Sequence, residues 1–175
     1  MTAPGDGKSD DIGDAITSRP RSILKLILDE KTFLRRRPEV EHEREVAIFD
    51  LLEENTFRLN GEGAHPGPYH VRLRLADDRL QFDIRDTDEQ LVRELALAVK
   101  PFRMVVKDYF IVCESYFDAI KTSSPSQIEA IDMGRRALHN EGAQMLLERL
   151  QIEAELDQLT ARRLFTLLCV LHMRG

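Results

Sequence analysis

Four polar residues at helical spacing offer the most chemistry in this sequence. Asp132, Arg136 and His139 are three or four residues apart, and Asn140 adjoins them. Residues at that spacing share one side of a helix. An arginine on such a face can hold an anionic group, and a nearby histidine can transfer a proton. These four residues are therefore a candidate pocket for an anionic ligand or for a small enzyme's substrate.

A simpler interpretation of the same residues stays open. Asp132 and Arg136 form an ordinary i,i+4 pair, which stabilises a helix by about 0.2–0.5 kcal/mol. His139 and Asn140 could serve only to satisfy loop carbonyl groups. The sequence holds no Gly-x-Ser-x-Gly elbow and no glycine-rich phosphate loop. We therefore assign no catalytic residue, and we favour a protein that is not an enzyme.

A basic run is the second candidate site. Arg35, Arg36 and Arg37 directly precede Pro38, where a helix is predicted to begin. Free N–H groups at a helix start bind phosphate, so the run could hold an anion or associate with RNA or the ribosome. The formal net charge of −6 disfavours nucleic-acid binding in general.

Metal and cofactor sites are not predicted. His42 and Glu45 could share a metal, but the pair occurs once, and a solvated helix face explains it better. Cys113 and Cys169 lie within apolar stretches, which is typical of buried free thiols. No apolar run is long enough to cross a bilayer, so we expect a cytoplasmic protein.

The elements that must position these residues begin after a polar segment. Residues 1–20 contain few large apolar groups, so we expect a disordered tail followed by one domain over residues 21–175. Residues 22–28 are apolar on both faces, which favours an interior strand. A helix is predicted from Pro38 to about Asn55, and a short strand is predicted from Phe57 to Leu59. Alternating residues over 69–85 then predict a hairpin that turns at Asp77 and Asp78, and a last strand carries Leu95, Leu97 and Val99.

Three consecutive helices are predicted from Pro101 onwards. Ser126 caps the second, with Glu129 completing a capping box, and Thr160 caps the third. The third is apolar almost all round, so it must lie inside a core or against a partner. Gly134 and Gly142 interrupt the second helix, which suggests close approach by another backbone.

Four segments of the chain resemble the UPF0262 family of bacterial proteins. They are residues 38–55, 101–110, 124–136 and 160–172, and the resemblance extends from about Ser22 to Gly175. The resemblance implies a bacterial cytoplasmic protein. It implies no activity, cofactor or catalytic residue.

These observations together predict an α+β fold. We expect an antiparallel sheet of four or five strands, with helices packed on one face and three consecutive helices at the C-terminal end. The absence of a catalytic set favours a non-enzymatic protein-binding or regulatory module. We expect a protein partner or self-association, with a homodimer as one form, and no membrane contact.

Overall fold

A computed structural model describes residues 19–30 and 37–172. All but the last two residues of the predicted disordered tail lie outside this range, and a single domain over residues 21–175 remains a prediction. In chain order the elements are β1 (Ile23–Asp29), α1 (Pro38–Glu53), β2 (Phe57–Leu59), β3 (Tyr69–Ala76), β4 (Arg79–Arg85), β5 (Leu91–Ala98), α2 (Arg103–Thr122), α3 (Pro125–Leu150), β6 (Ala154–Leu156) and α4 (Gln158–His172), with a 3-10 turn at Lys100–Phe102. The α+β class and the three consecutive C-terminal helices are confirmed.

The main sheet has four strands in the order β1-β3-β4-β5. Strands β3, β4 and β5 form the predicted antiparallel meander. β1 runs parallel to β3, because α1 and β2 carry the chain back before β3 begins. The expectation of a wholly antiparallel sheet is wrong at this one pairing. β2 does not belong to the main sheet. It pairs with β6, a three-residue strand that the sequence pattern does not indicate.

β1 lies at an edge of the sheet, so the predicted interior position is wrong. Its register shifts between Ile23 and Lys25, and both Ile23 and Leu26 are consequently buried. Ile27, on the opposite face, is 37% exposed. The bulge therefore explains why apolar residues occur on both faces of an edge strand.

At the start of β1, the side chain of Asn55 forms the main-chain hydrogen bonds that a neighbouring strand would otherwise form. Its Oδ1 accepts a 2.7 Å hydrogen bond from the Ile23 amide. Its Nδ2 donates to the carbonyl oxygens of Ile23 and Leu51, both at 2.8 Å. Main-chain groups of β1 and α1 are thus satisfied by one amide.

We expect Asn55→Ala to lower the free energy of unfolding by about 2 kcal/mol, since part-buried backbone groups would lose their partners. Urea denaturation of wild type and variant measures the difference. Asn140→Ala is the matched control, because Asn140 is exposed on α3. Its change should stay within about 0.5 kcal/mol. Equal effects of the two substitutions would contradict this role of Asn55.

The hairpin between β3 and β4 turns as predicted. Asp77 and Asp78 both have positive φ, 53° and 56°, as a two-residue type I′ turn requires. This turn places Arg72 opposite Asp83. Asp83, however, accepts its hydrogen bond from Arg85 at 3.2 Å.

α4 forms the centre of the core. Every residue from Leu164 to Val170 is buried, and the helix contacts α1, α3 and β3. The prediction that this helix lies inside a core is confirmed. Its predicted cap is wrong. Asp157 accepts a 2.9 Å bond from the Thr160 amide, and the Thr160 hydroxyl accepts one from the Thr56 amide.

The start of α3 also differs by two residues from the prediction. Ser124, rather than Ser126, forms the capping box, and its partner is Gln127 rather than Glu129. Within α3, close packing explains only one of the two glycines. Gly142 faces the ring of Phe165, whereas nothing lies within 4 Å of a Cβ built on Gly134.

Candidate functional site

The charged residues of α3 meet α1 through Arg135. Asp132 and Arg136 form the expected ion pair, with Arg136 Nη2 2.7 Å from Asp132 Oδ2. Arg135 Nη2 is 2.9 Å from the other oxygen of Asp132, and Arg135 Nη1 is 3.2 Å from Glu43 Oε1. Asp132 is therefore shared between two guanidinium groups, and one of them ties α3 to α1.

Glu43 joins the same network to α2. The hydroxyl of Tyr109 donates to Glu43 Oε2 at 3.2 Å. The Arg135 guanidinium also lies over the ring of Tyr116, 4.6 Å from its centroid, in cation–π geometry. We call Glu43, Tyr109, Asp132, Arg135 and His139 the helix junction, because these residues lie where α1, α2 and α3 come together.

His139 occupies the inner side of this junction and is only 9% exposed. Its Nε2 lies 2.6 Å from Thr166 Oγ1 and 3.0 Å from the Arg162 carbonyl oxygen, both on α4. Its ring centroid is 5.3 Å from that of Tyr109. The imidazole is thus held between α2 and α4.

α3 therefore divides the four predicted pocket residues between two environments. Arg136 and Asn140 are exposed, Asp132 is partly buried, and His139 faces the core. Within the described part of the chain, no hydrogen bond or ion pair joins His139 to Asp132 or Arg136. A ligand pocket formed by all four residues remains a prediction.

Burial sets the protonation states at the junction. Burial, together with a smaller effect of the Arg162 guanidinium, lowers the pKa of His139 to about 4. Burial alone raises the pKa of Asp132, but hydrogen bonds from Arg136 and Arg135 lower it below the usual value. His139 is therefore a neutral imidazole at pH 7, and Asp132 is a carboxylate. Burial also raises the pKa of Tyr109 far above its usual range, so its hydroxyl stays protonated.

Both cysteines are buried and free, as predicted. Burial, together with a smaller effect of the Glu43 carboxylate, raises the pKa of Cys113 to about 11. Burial likewise raises the pKa of Cys169. Since the thiolate is the reactive form, these thiols are weak nucleophiles and act as small apolar side chains.

The other predicted residues lie apart from the junction. Arg35 and Arg36 are outside the described residues. Arg37 precedes α1, with its Nη1 3.2 Å from Glu114 Oε1 on α2. The anion or nucleic-acid site over Arg35–Arg37 therefore remains a prediction. His42 and Glu45 are exposed on α1.

In residues 19–30 and 37–172, no group of three or more His, Cys, Asp or Glu side chains is arranged to hold a metal ion. Across those ranges, no helix is both long and apolar enough to cross a lipid bilayer.

Sequence patterns do not indicate Glu43 or Arg135, although both are central to the junction. Glu43 lies inside the charged run Glu41–Glu45, which is typical of a solvated helix face. Its side chain is only 15% exposed, because α1 turns it towards α2 and α3. Arg135 adjoins Arg136, and the spacing to Asp132 fits either residue. Arg135 and Glu43 are 92 positions apart in the chain, so no local sequence pattern indicates their contact.

The helix-covered mixed sheet and this junction define a small α+β protein. The chain belongs to the family described as Uncharacterised protein family (UPF0262), whose model matches residues 20–174. The resemblance from sequence is thereby confirmed.

Three bacterial relatives illustrate the match. The chain is 60% identical over 153 residues to a UPF0262 protein of Rhodospirillum rubrum, covering 87% of this chain and 93% of the relative. It is 57% identical to one of Paramagnetospirillum magneticum, covering 89% and 98%. It is 54% identical to one of Mesorhizobium japonicum, covering 87% and 94%. No solved structure matches the chain significantly.

Proposed function

We propose that the protein is a cytoplasmic, non-enzymatic protein-binding module that contacts its partner through the outer face of α1. The observation that carries this proposal is Phe49, which is 65% exposed in the middle of a helix. Val46, one turn earlier, is 39% exposed. The opposite side of α1 is fixed in the core by Val40, Ala47 and Leu51.

The charge around Phe49 favours a particular kind of partner. Glu45 and Glu53 are exposed one turn before and one turn after Phe49, so acidic residues lie on both sides of an apolar centre. Protein interfaces commonly combine a buried aromatic anchor with a polar rim. A partner surface that offers an apolar pocket bordered by lysine or arginine fits this arrangement. Burying an exposed phenylalanine contributes about 1.5–3 kcal/mol.

The test is a comparison of Phe49→Glu with Met104→Glu. Met104 is 71% exposed on α2, so the control adds the same charge without disturbing the core. Tagged wild type and both variants are used to capture proteins from the host lysate under identical conditions. We expect a protein that wild type and Met104→Glu retain and Phe49→Glu loses, with affinity reduced about 30-fold or more.

The same variants distinguish a foreign partner from a second copy of the chain. Light scattering after gel filtration would show a wild-type dimer and a Phe49→Glu monomer if the partner were the chain itself. Capture of the same proteins in equal amounts by all three forms, with unchanged mass, would refute the proposal.

A further inference from the structure

A cavity of about 340 Å³ lies beside the segment between β2 and β3. It is lined by residues that include Arg21, Arg58, Leu59, Asn60, His65 and Pro66. It lies outside the helix junction and the outer face of α1. Its volume is at the lower end of the range for small-molecule sites.

Hydrogen bonds hold the wall of this cavity in place. The buried Tyr69 donates its hydroxyl to the His65 carbonyl at 2.5 Å and accepts from the Leu59 amide at 3.2 Å. The Arg21 amide donates to the Pro66 carbonyl at 2.8 Å. At the other end, the Asn60 amide donates to the Glu153 carbonyl at 2.9 Å. The loop is therefore preorganised, which lowers the entropic cost of binding a ligand.

Two arginines, Arg21 and Arg58, line the cavity. Arg58 Nη2 is 3.2 Å from Glu155 Oε2, in an exposed ion pair. The Arg21 side chain forms no ion pair or hydrogen bond with any residue that the structure describes. Arginine forks match the geometry of carboxylate and phosphate oxygens, so a cavity bordered by both side chains suits an anion.

His65 supplies a further donor. Its Nδ1 accepts a 3.0 Å hydrogen bond from the Gly67 amide. A neutral imidazole whose Nδ1 accepts must carry its proton on Nε2. The ring can therefore donate through Nε2 to a ligand oxygen.

We propose that this cavity binds a small organic anion, whose phosphate or carboxylate group is held by Arg21 and Arg58 and receives a hydrogen bond from His65. The volume exceeds that of an isolated phosphate, and Leu59 and Pro66 provide apolar wall for a short carbon body. Glu155 already pairs with Arg58, so the ligand would replace the Glu155 carboxylate as the partner of the Arg58 guanidinium.

The experiment is isothermal titration with inorganic phosphate and with succinate, each at constant ionic strength maintained by sodium chloride. Arg21→Gln should weaken binding of the preferred probe about tenfold or more. Arg72→Gln is the matched control, because Arg72 is an exposed arginine of β3 and its loss changes the net charge equally. The control should bind as wild type does.

A second variant is expected to bind the anion more tightly, so the test does not depend only on a loss of binding. Glu155→Gln removes the competing carboxylate and should tighten binding roughly threefold. Binding of phosphate alone or succinate alone by wild type identifies which anion the site prefers. No binding of either probe, or equal weakening by Arg21→Gln and Arg72→Gln, would overturn the proposal. Phe49→Glu should leave the affinity unchanged, so this result is independent of partner binding at α1.

Discussion

Replacement of Gly142 by alanine is expected to destabilise the protein by about 3 kcal/mol, although alanine is the better helix former. A Cβ at this position would overlap three atoms of the Phe165 ring. The ring cannot move aside easily, because Phe165 is fully buried and contacts Tyr109 and His139. Either α3 must shift away from α4 or the ring must leave its rotamer.

Gly134→Ala provides the matched control eight residues earlier in the same helix. Nothing lies within 4 Å of a Cβ at Gly134, and the position is exposed. We therefore expect that substitution to stabilise the protein by about 0.5–1 kcal/mol, which is the helix-propensity difference. Thermal or urea unfolding of both variants measures the contrast. If Gly142→Ala changed the free energy of unfolding as little as Gly134→Ala does, α3 and α4 would not pack as closely as described.

Acidification from pH 7 to pH 4 is expected to remove about 3 kcal/mol of stability through His139 alone. Burial and Arg162 lower its pKa from the usual 6.5 to about 4 in the folded protein. The unfolded chain therefore binds a proton at this site before the folded protein does. The stabilisation is complete above pH 6.5 and is lost as the pH falls towards 4.

Three arginines near His139 lower its pKa in addition to burial, whereas its hydrogen bond to the Arg162 carbonyl raises it. Arg162, Arg163 and Arg135 all repel a proton on the imidazole. Asp132, on the same helix, has a lowered pKa and keeps its charge over most of this range. Protonation would place a new positive charge among three guanidinium groups in a poorly solvated site.

Urea unfolding of wild type and His139→Gln at intervals between pH 7 and pH 4 isolates this contribution. The glutamine can retain a hydrogen bond to Thr166 or to the Arg162 carbonyl but cannot titrate. We expect the stability of wild type to fall about 3 kcal/mol further than that of the variant. Proton NMR of the imidazole gives the folded pKa directly. Parallel stability curves, or a folded pKa near 6.5, would contradict this account.

The fold could be predicted where the periodicity is strong. The β3–β4 hairpin combines strict alternation with two aspartates that accept positive φ, and α4 is too apolar for any position but the core. The edge position of β1 could not be predicted, because its β-bulge interrupts the alternation of inward and outward side chains by which a half-buried strand is recognised. β6 has only three residues, and its partner β2 lies about 100 positions away.

The site was harder to predict than the fold. Helical spacing correctly paired Asp132 with Arg136, but it could not show that His139 faces inwards. That orientation depends on α4, which supplies Thr166 and the Arg162 carbonyl. Glu43 and Arg135 meet only after α1 and α3 have packed. The Arg21 and Arg58 cavity depends in the same way on loop contacts with no sequence signature.

The central position of α4 has a consequence for synthesis on the ribosome. The core residues of α1, α3 and β3 all precede α4 in the chain, so they are translated before the helix that covers them. The nascent chain must keep these apolar surfaces exposed until residues 158–172 have emerged, so the core should form only after α4 has been translated. Chains that stall before α4 would be substrates for chaperones and proteases.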